Sequence, residues 1–229
     1  MPEIAFRLQG TLKRSGNISA PDYTLNNTGY EENNFSVGLG YTDNGRMGIE
    51  GFYSQFNTKI GIFPGAHIGN LTDLQNAFKR KVPLYTGPFS YDIGRPYQDI
   101  HHDLLKIKGY LTTGNYTRLN AEYSWQYNER SEFDVHTPRD PLLADQPELF
   151  FGITTNTADV MLEHSNLGPF KGKTGISFMR QTNLAKGRDF IPNFENYSGG
   201  IYAIEQTPIG KLVVEAGLRY DYKWQKIYK

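Results

Sequence analysis

The chain has 229 residues, and its 24 lysines and arginines are balanced by 24 aspartates and glutamates, so no global field draws it to nucleic acid or to an acidic membrane surface. Only 38% of residues are hydrophobic while 14% are aromatic, unlike an α/β enzyme, whose buried strands read as continuous aliphatic runs. The absence of cysteine excludes a disulfide framework, thiol catalysis and zinc–thiolate sites.

In chain order, the dominant signal is alternation of apolar and polar residues with period two. It starts at once: Ile4-Ala5-Phe6-Arg7-Leu8 opens a predicted strand over 3–13. No basic segment and no apolar run of a signal peptide precede it, so the true start is expected upstream. In the second strand, 33–42, Phe35, Val37, Leu39 and Tyr41 alternate with Asn34, Ser36, Gly38, Gly40 and Thr42. A third covers 46–57. The fourth, 102–112, sets Leu105, Ile107, Gly109 and Leu111 against Lys106, Lys108 and Tyr110. The fifth, 117–128, is the clearest, with Leu119, Ala121, Tyr123, Trp125 and Tyr127 on one face and only polar residues on the other. Strands are then expected at 156–164, 171–182, 197–206 and 211–223. Most of the nine run about ten to twelve residues, past the usual globular strand and close to what a tilted crossing of a bilayer needs.

The connectors alternate in length. Tight-turn chemistry falls at Asp43-Asn44-Gly45, Thr113-Gly114-Asn115, Ser165 to Phe170 and Thr207-Pro208-Ile209-Gly210, whereas 14–32, 58–101, 129–155 and 183–196 are long. All short turns therefore fall at one end of the sheet and all long loops at the other. The longest loop carries a predicted helix: Thr72 and Gln75 form a capping box, Leu71, Leu74 and Phe78 follow at helical spacing, and Lys79, Arg80 and Lys81 suit its C-terminus before Pro83 stops it. No apolar run approaches the roughly 20 residues of a spanning helix. Long alternating strands with one-sided loops read as an all-β fold: a segment of an antiparallel, up-and-down transmembrane β-barrel with periplasmic turns and extracellular loops. The odd strand count and the lack of a terminal aromatic strand end make residues 1–229 a single partial domain, an interior piece of a larger wall.

Two stretches carry a resemblance. Gly199-Gly200-Ile201-Tyr202-Ala203-Ile204-Glu205, a short turn, then Leu212-Val213-Val214-Glu215-Ala216-Gly217-Leu218-Arg219-Tyr220-Asp221 looks like a barrel hairpin of TonB-dependent receptors. Arg95-Pro96-Tyr97-Gln98-Asp99-Ile100-His101-His102 resembles the end of a long outer loop re-entering such a barrel. The likeness is closest to receptors of Bacteroidetes-type bacteria and covers about fifty residues in motif, with no TonB box, plug domain or closing strand. It implies part of a 22-stranded outer-membrane barrel with a plugged lumen. It also implies import of a scarce ligand, a ferric siderophore first among them, powered by a TonB complex that meets regions outside this chain.

The candidate site residues fall into three groups. Tyr41, Tyr53, Trp125, Tyr127, Tyr220, Tyr222 and Trp224 are expected as aromatics at the membrane interface, with a sugar-stacking surface as the rival reading of Trp125 and Trp224. Lys106, Lys108, Arg118, Glu122, Glu215, Arg219 and Asp221 are expected to face the lumen. In the loops, Arg95, His101, Arg130, His136 and Arg139 would meet an anionic ligand, and Tyr85, Tyr91 and Tyr97 would stack on it. His101 and His102 are adjacent on a strand and point to opposite faces, which argues against a shared metal ion. Asn-x-Ser/Thr triplets at Asn17, Asn26, Asn34, Asn70, Asn115 and Asn196 are the weak signature of a glycosylated secreted protein. There is no P-loop, no Gly-x-Ser-x-Gly and no catalytic triad, so neither a cofactor nor an enzyme is expected. The alternatives are a passive porin or adhesion barrel and a soluble, carbohydrate-binding β-sandwich.

Overall fold

The computed structural model describes residues 2–114, 117–135, 145–188 and 190–228. Its strands are β1 (Pro2–Ser15), β2 (Tyr30–Asp43), β3 (Met47–Gly61), β4 (Tyr97–Thr113), β5 (Thr117–Phe133), β6 (Leu149–Leu167), β7 (Phe170–Gly187), β8 (Asn193–Ile209) and β9 (Leu212–Tyr228). They form one open antiparallel sheet in which each strand pairs with its sequence neighbours, so β1 and β9 are the edges. All nine expected strands are present, and the tight and long connectors alternate between the two ends as the sequence indicates.

The strands are longer than the alternation alone suggests, 14 to 19 residues each. The extra length lies at the long-connector end, in segments such as Gln98–His101 and Glu129–Phe133. There both faces become polar, so hydrophobic alternation fades while backbone pairing continues.

The pairing is staggered. One row of cross-strand partners runs from Ile4 through Tyr41, Ile49, Gly109, Ala121, Val160, Ile176 and Ile201 to Tyr220. Tyr41 is two residues from the last pair before its turn, Asp43 with Met47. Gly109 is four residues from Thr113, and Ile201 is eight from Ile209. A sheet whose hydrogen-bonded rows climb steadily away from its turns has strands tilted against the line of those turns.

Glycine sets the turns. Asn44 and Gly45 both adopt positive φ, 45° and 69°, between Asp43 and Met47. The β6–β7 turn is tighter than the six-residue connector the sequence implies: Gly168 (φ 65°) and Pro169 link Leu167 to Phe170, and the pairing shifts register between His164 and Leu167. The β8–β9 turn centres on Gly210 (φ 62°) and Lys211, because Thr207, Pro208 and Ile209 are already paired within β8.

Helix α1 (Leu71–Lys79) lies in the second long connector, where expected, but its cap differs. Asn70, not Thr72, is the N-cap: its Oδ1 accepts the Asp73 backbone N–H at 2.9 Å, and its Nδ2 donates to Asp73 Oδ2 at 2.9 Å. The asparagine caps the helix two residues earlier than the expected box, and the acid three residues on accepts from the side-chain amide of its cap rather than from the backbone N–H.

Candidate functional site

Directly opposed residues of an antiparallel sheet share a face. Beside the row from Ile4 to Tyr220 runs a second: Phe6, Leu39, Gly51, Ile107, Tyr123, Ala158, Phe178, Gly199 and Tyr222. Every position in both rows, across all nine strands, is aliphatic, aromatic or glycine. The band is uncovered: Phe6 is 75% exposed, Ile176 58% and Ile201 60%. Among the described residues no aliphatic, aromatic or methionine side chain other than Pro96 is buried. The buried polar side chains include Thr58, Ser124, Asn183 and Asn196, and these four lie on the opposite face. Burial is thus inverted relative to a water-soluble domain. It also leaves Asn17 and Asn196 unavailable as glycan acceptors.

An aromatic and polar border follows the band on its long-connector side. Tyr53, Trp125, Tyr197 and Trp224 share one row, and Tyr127 stands in the next. The phenols lean toward the connectors: Tyr53 donates to Asp103 Oδ1 at 2.7 Å, Tyr127 to Glu129 Oε2 at 2.7 Å and Tyr197 to Glu195 Oε1 at 2.6 Å. Tyr123 likewise donates to Asn156 Oδ1 at 2.8 Å. Each of these rings faces the apolar band while its hydroxyl reaches a polar collar. Trp125 stacks on Tyr127 with centroids 6.5 Å apart, and Trp224 lies 5.7 Å from Tyr197. Tyr41 falls toward the turns, and Tyr220 and Tyr222 sit mid-strand in β9, within the band rather than at its border. Tyr197, which the sequence reading passes over, completes the border.

The opposite face collects Lys106, Lys108, Arg118, Glu122, Glu215, Arg219 and Asp221, as the alternation requires. Lys106 Nζ lies 2.5 Å from Glu122 Oε1 and Lys108 Nζ 3.6 Å from Oε2. The Arg118 guanidinium sits 3.8 Å above the Tyr110 ring. Arg219 makes a two-point contact with Asp221 at 2.8 and 2.6 Å and donates to Ser177 Oγ at 2.9 Å. A Cβ on Gly200 would fall 2.3 Å from Asp221 Oδ1 and 2.7 Å from Arg219 Nη2, so the glycine leaves room for that pair.

The loop residues singled out in the sequence do not converge. Arg95 is engaged by Glu148: Nη1 reaches Oε1 at 2.7 Å and Oε2 at 3.0 Å, both side chains being largely shielded, and the guanidinium lies 5.0 Å from the Phe133 ring. His101 sits on the same face as the band, between Asn57 and Asp103, with Nε2 2.6 Å from Asp103 Oδ2. His102 points the other way, 3.3 Å from Asn128 Nδ2. Arg130 pairs with Glu132 on the polar face. Tyr97 stacks on Phe133 at 4.3 Å under the Lys59 ammonium, Tyr91 lies under Arg14, and Tyr85 meets Phe63 edge-on. His136 and Arg139 lie outside the described residues.

The connectors are tied to one another instead. Asn27, held at φ 59°, donates to the Ile62 and Pro96 carbonyls at 2.9 and 2.7 Å and accepts the Gly94 N–H at 2.9 Å. It staples the first connector (16–29) to both ends of the second (62–96), a role that a lone asparagine in a polar stretch does not announce. Asp134 accepts from Arg188, joining the third connector to the fourth. Burial pushes the Asp134 carboxyl up, but Arg188 and the Val135 N–H outweigh it and hold the group below the ordinary carboxylate range.

No protein-family model matches the chain, and no curated protein is detectably similar to it. Among the described residues, no helix is long and apolar enough to cross a membrane, and no three His, Cys, Asp or Glu side chains gather to hold a metal ion.

Proposed function

We propose that this sheet is part of the wall of an outer-membrane β-barrel, with its apolar face against lipid, its polar face toward the lumen and its long connectors outside the cell. The observation that carries the reading is the pair of uninterrupted apolar rows across nine strands, exposed on one face while polar residues are buried on the other. A soluble sandwich needs a second layer over that face, and the described residues form one sheet. Curvature toward the polar face would account for the burial of polar residues there, and the stagger is of the kind that a closed barrel requires. Both edges have unpaired backbone groups that lipid cannot satisfy, so the completed wall uses further strands beside β1 and β9.

The β8–β9 hairpin with Gly217-Leu218-Arg219-Tyr220-Asp221 supports a TonB-dependent receptor as the type of barrel, importing a siderophore-like ligand with energy from a TonB complex. In this role the chain is wall and loop and does no chemistry on its cargo.

Both tryptophans, Trp125 and Trp224, lie on the apolar face in one row, which gives a direct test. The chain is placed in vesicles whose lipids carry bromine either near the headgroup or deep in the acyl chain. Strong quenching of Trp fluorescence, greater from the shallow bromine, is expected for rings at the interface. Fluorescence quenched by aqueous iodide and indifferent to both lipids would overturn the proposal.

A further inference from the structure

The apolar band is not of even height. On β4 its polar flanks are Asp103 and Thr113, ten residues apart on the same face. At about 3.4 Å per residue and a tilt of about 40°, that is about 26 Å of height, enough for the band of about 25 Å that an outer-membrane barrel shows to lipid. On β7 the flanks are Thr174 and Arg180, six residues apart. The same arithmetic gives about 16 Å. Only Ile176 and Phe178 lie between them on that face, so on β7 the two apolar rows are the whole band. The strands beside it add little: Ala158, Val160 and Leu162 between Asn156 and His164 on β6, and Gly199, Ile201 and Ala203 above Glu205 on β8.

The flanks of this low sector are ion pairs on the outward face. On the connector side, Arg180 donates to Glu195 Oε1 from Nε at 3.1 Å and from Nη2 at 2.8 Å. On the turn side, His164 Nε2 lies 2.9 Å from Glu205 Oε1, reaching across Gly172, where a Cβ would fall 2.5 Å from Glu205 Oε2. A bilayer of ordinary thickness would draw one or both pairs into hydrocarbon, where charge is costly. The relief of the sector is also uneven. Phe178 is 49% exposed and stands between two small cross-strand partners, Ala158 and Gly199. At Gly199 a Cβ would meet nothing nearer than the Ser177 carbonyl oxygen at 3.7 Å, so the position is a hole beside a knob.

We propose that the outward face of β6 to β8 is covered by the same face of a second copy of the chain; the pairing rests on the barrel reading above. Both copies keep their connectors outside, so the two-fold axis that relates them runs along the membrane normal. An axis between β7 and β8 sets Phe178 of each copy over Gly199 of the other. It also has Arg180 on one side and Glu195 on the other, which makes the face charge-complementary to itself. Association inside a bilayer depends on close packing at small residues and on polar contacts, and this sector offers both. β7 is paired on both of its edges, so the copies meet face to face and leave β1 and β9 to the rest of the wall.

The chain has no cysteine, so Lys81→Cys in the second connector accepts a donor or an acceptor dye at one place. Energy transfer between full chains in vesicles is measured against the chain-to-lipid ratio, and a saturable rise is expected. Gly199→Phe, which fills the hole, should raise the half-saturation ratio at least tenfold, and Phe178→Ala should raise it too. Gly51→Phe, at the other glycine of the same row, should leave it unchanged, since a Cβ there meets nothing within 4 Å. Far-ultraviolet circular dichroism verifies that each variant keeps its strands. In separate single-cysteine chains, a short bifunctional thiol reagent should join Gly199→Cys and not Gly51→Cys. Transfer that grows linearly with chain density, as random mixing or a lipid-covered face gives, overturns the pairing. So does an equal effect of Gly199→Phe and Gly51→Phe, as association through β1 and β9 gives, or equal cross-linking at the two positions. Where brominated lipid still quenches Trp125 and Trp224, these results leave the barrel standing; absence of that quenching removes the barrel and the pairing with it.

Discussion

If lipid covers the apolar face, the cost of a charge there depends on depth. Ile107 lies in the second all-apolar row, between Gly51 and Tyr123. Leu111 is four residues further along β4, two residues from the end of the strand at Thr113. At about 3.4 Å per residue and a tilt near 40°, the two positions differ in height by about 10 Å. The apolar band of an outer-membrane barrel is about 25 Å tall, so a mid-band Ile107 puts Leu111 near the headgroups. Arginine costs about 2–4 kcal/mol at the midplane and about 0–1 kcal/mol at the interface. With a urea slope of about 2–3 kcal/mol per molar, Ile107→Arg should lower the unfolding midpoint by about 1 M and Leu111→Arg by less than about 0.5 M. The assay is urea titration of vesicle-inserted chain, followed by tryptophan fluorescence. Equal shifts for the two variants would mean a face packed against protein, and no shift for Ile107→Arg would mean a face in water. Either result refutes the lipid assignment.

Two glycines of β3 should behave oppositely in the same titration. At Gly51 a Cβ meets nothing within 4 Å, so Gly51→Ala is expected to gain about 0.5–1 kcal/mol by relieving the entropic cost of glycine in a strand. At Gly61 a Cβ would fall 2.6 Å from the Asn27 carbonyl oxygen, so Gly61→Ala must part the first connector from β3 and should lose about 1–3 kcal/mol. For the Arg95–Glu148 tie, Glu148→Gln removes the carboxylate that meets the shielded guanidinium; a loss of about 2–3 kcal/mol is expected, with a smaller loss when Arg95→Met is added, as a double-mutant cycle would measure. Asp134 has its folded pKa below the ordinary 3.8, so its tie to Arg188 contributes fully above that pH and is lost as pH falls through the lowered value. Proteolytic nicking of the third connector should rise with acidification below about pH 3.8. Asp134→Asn should remove that pH dependence, and an unchanged profile in the variant would assign it to another group.

The strands, their order and the two faces were legible in the sequence because alternation with period two is a local property. Leu119 to Tyr127 declares one face whatever its neighbours do, and short turns such as Asn44-Gly45 and Pro208-Ile209-Gly210 favour pairing of each strand with the next. Local pattern also placed α1, although Asn70 and Thr72 are both acceptable caps and only the folded backbone selected between them. What the sequence could not determine was relative position between strands. The stagger that sets the eighteen residues in two unbroken rows, and that puts Trp125 and Trp224 in one pairing row, is a sum of registers fixed one hairpin at a time. The loop partners were hidden for a related reason. Arg95 looked available for a ligand until the fold brought Glu148 to it from 53 residues away. Polar connectors carry no periodic signal, so which of their charges are spent on each other, and which remain for a ligand, is decided by tertiary contact alone.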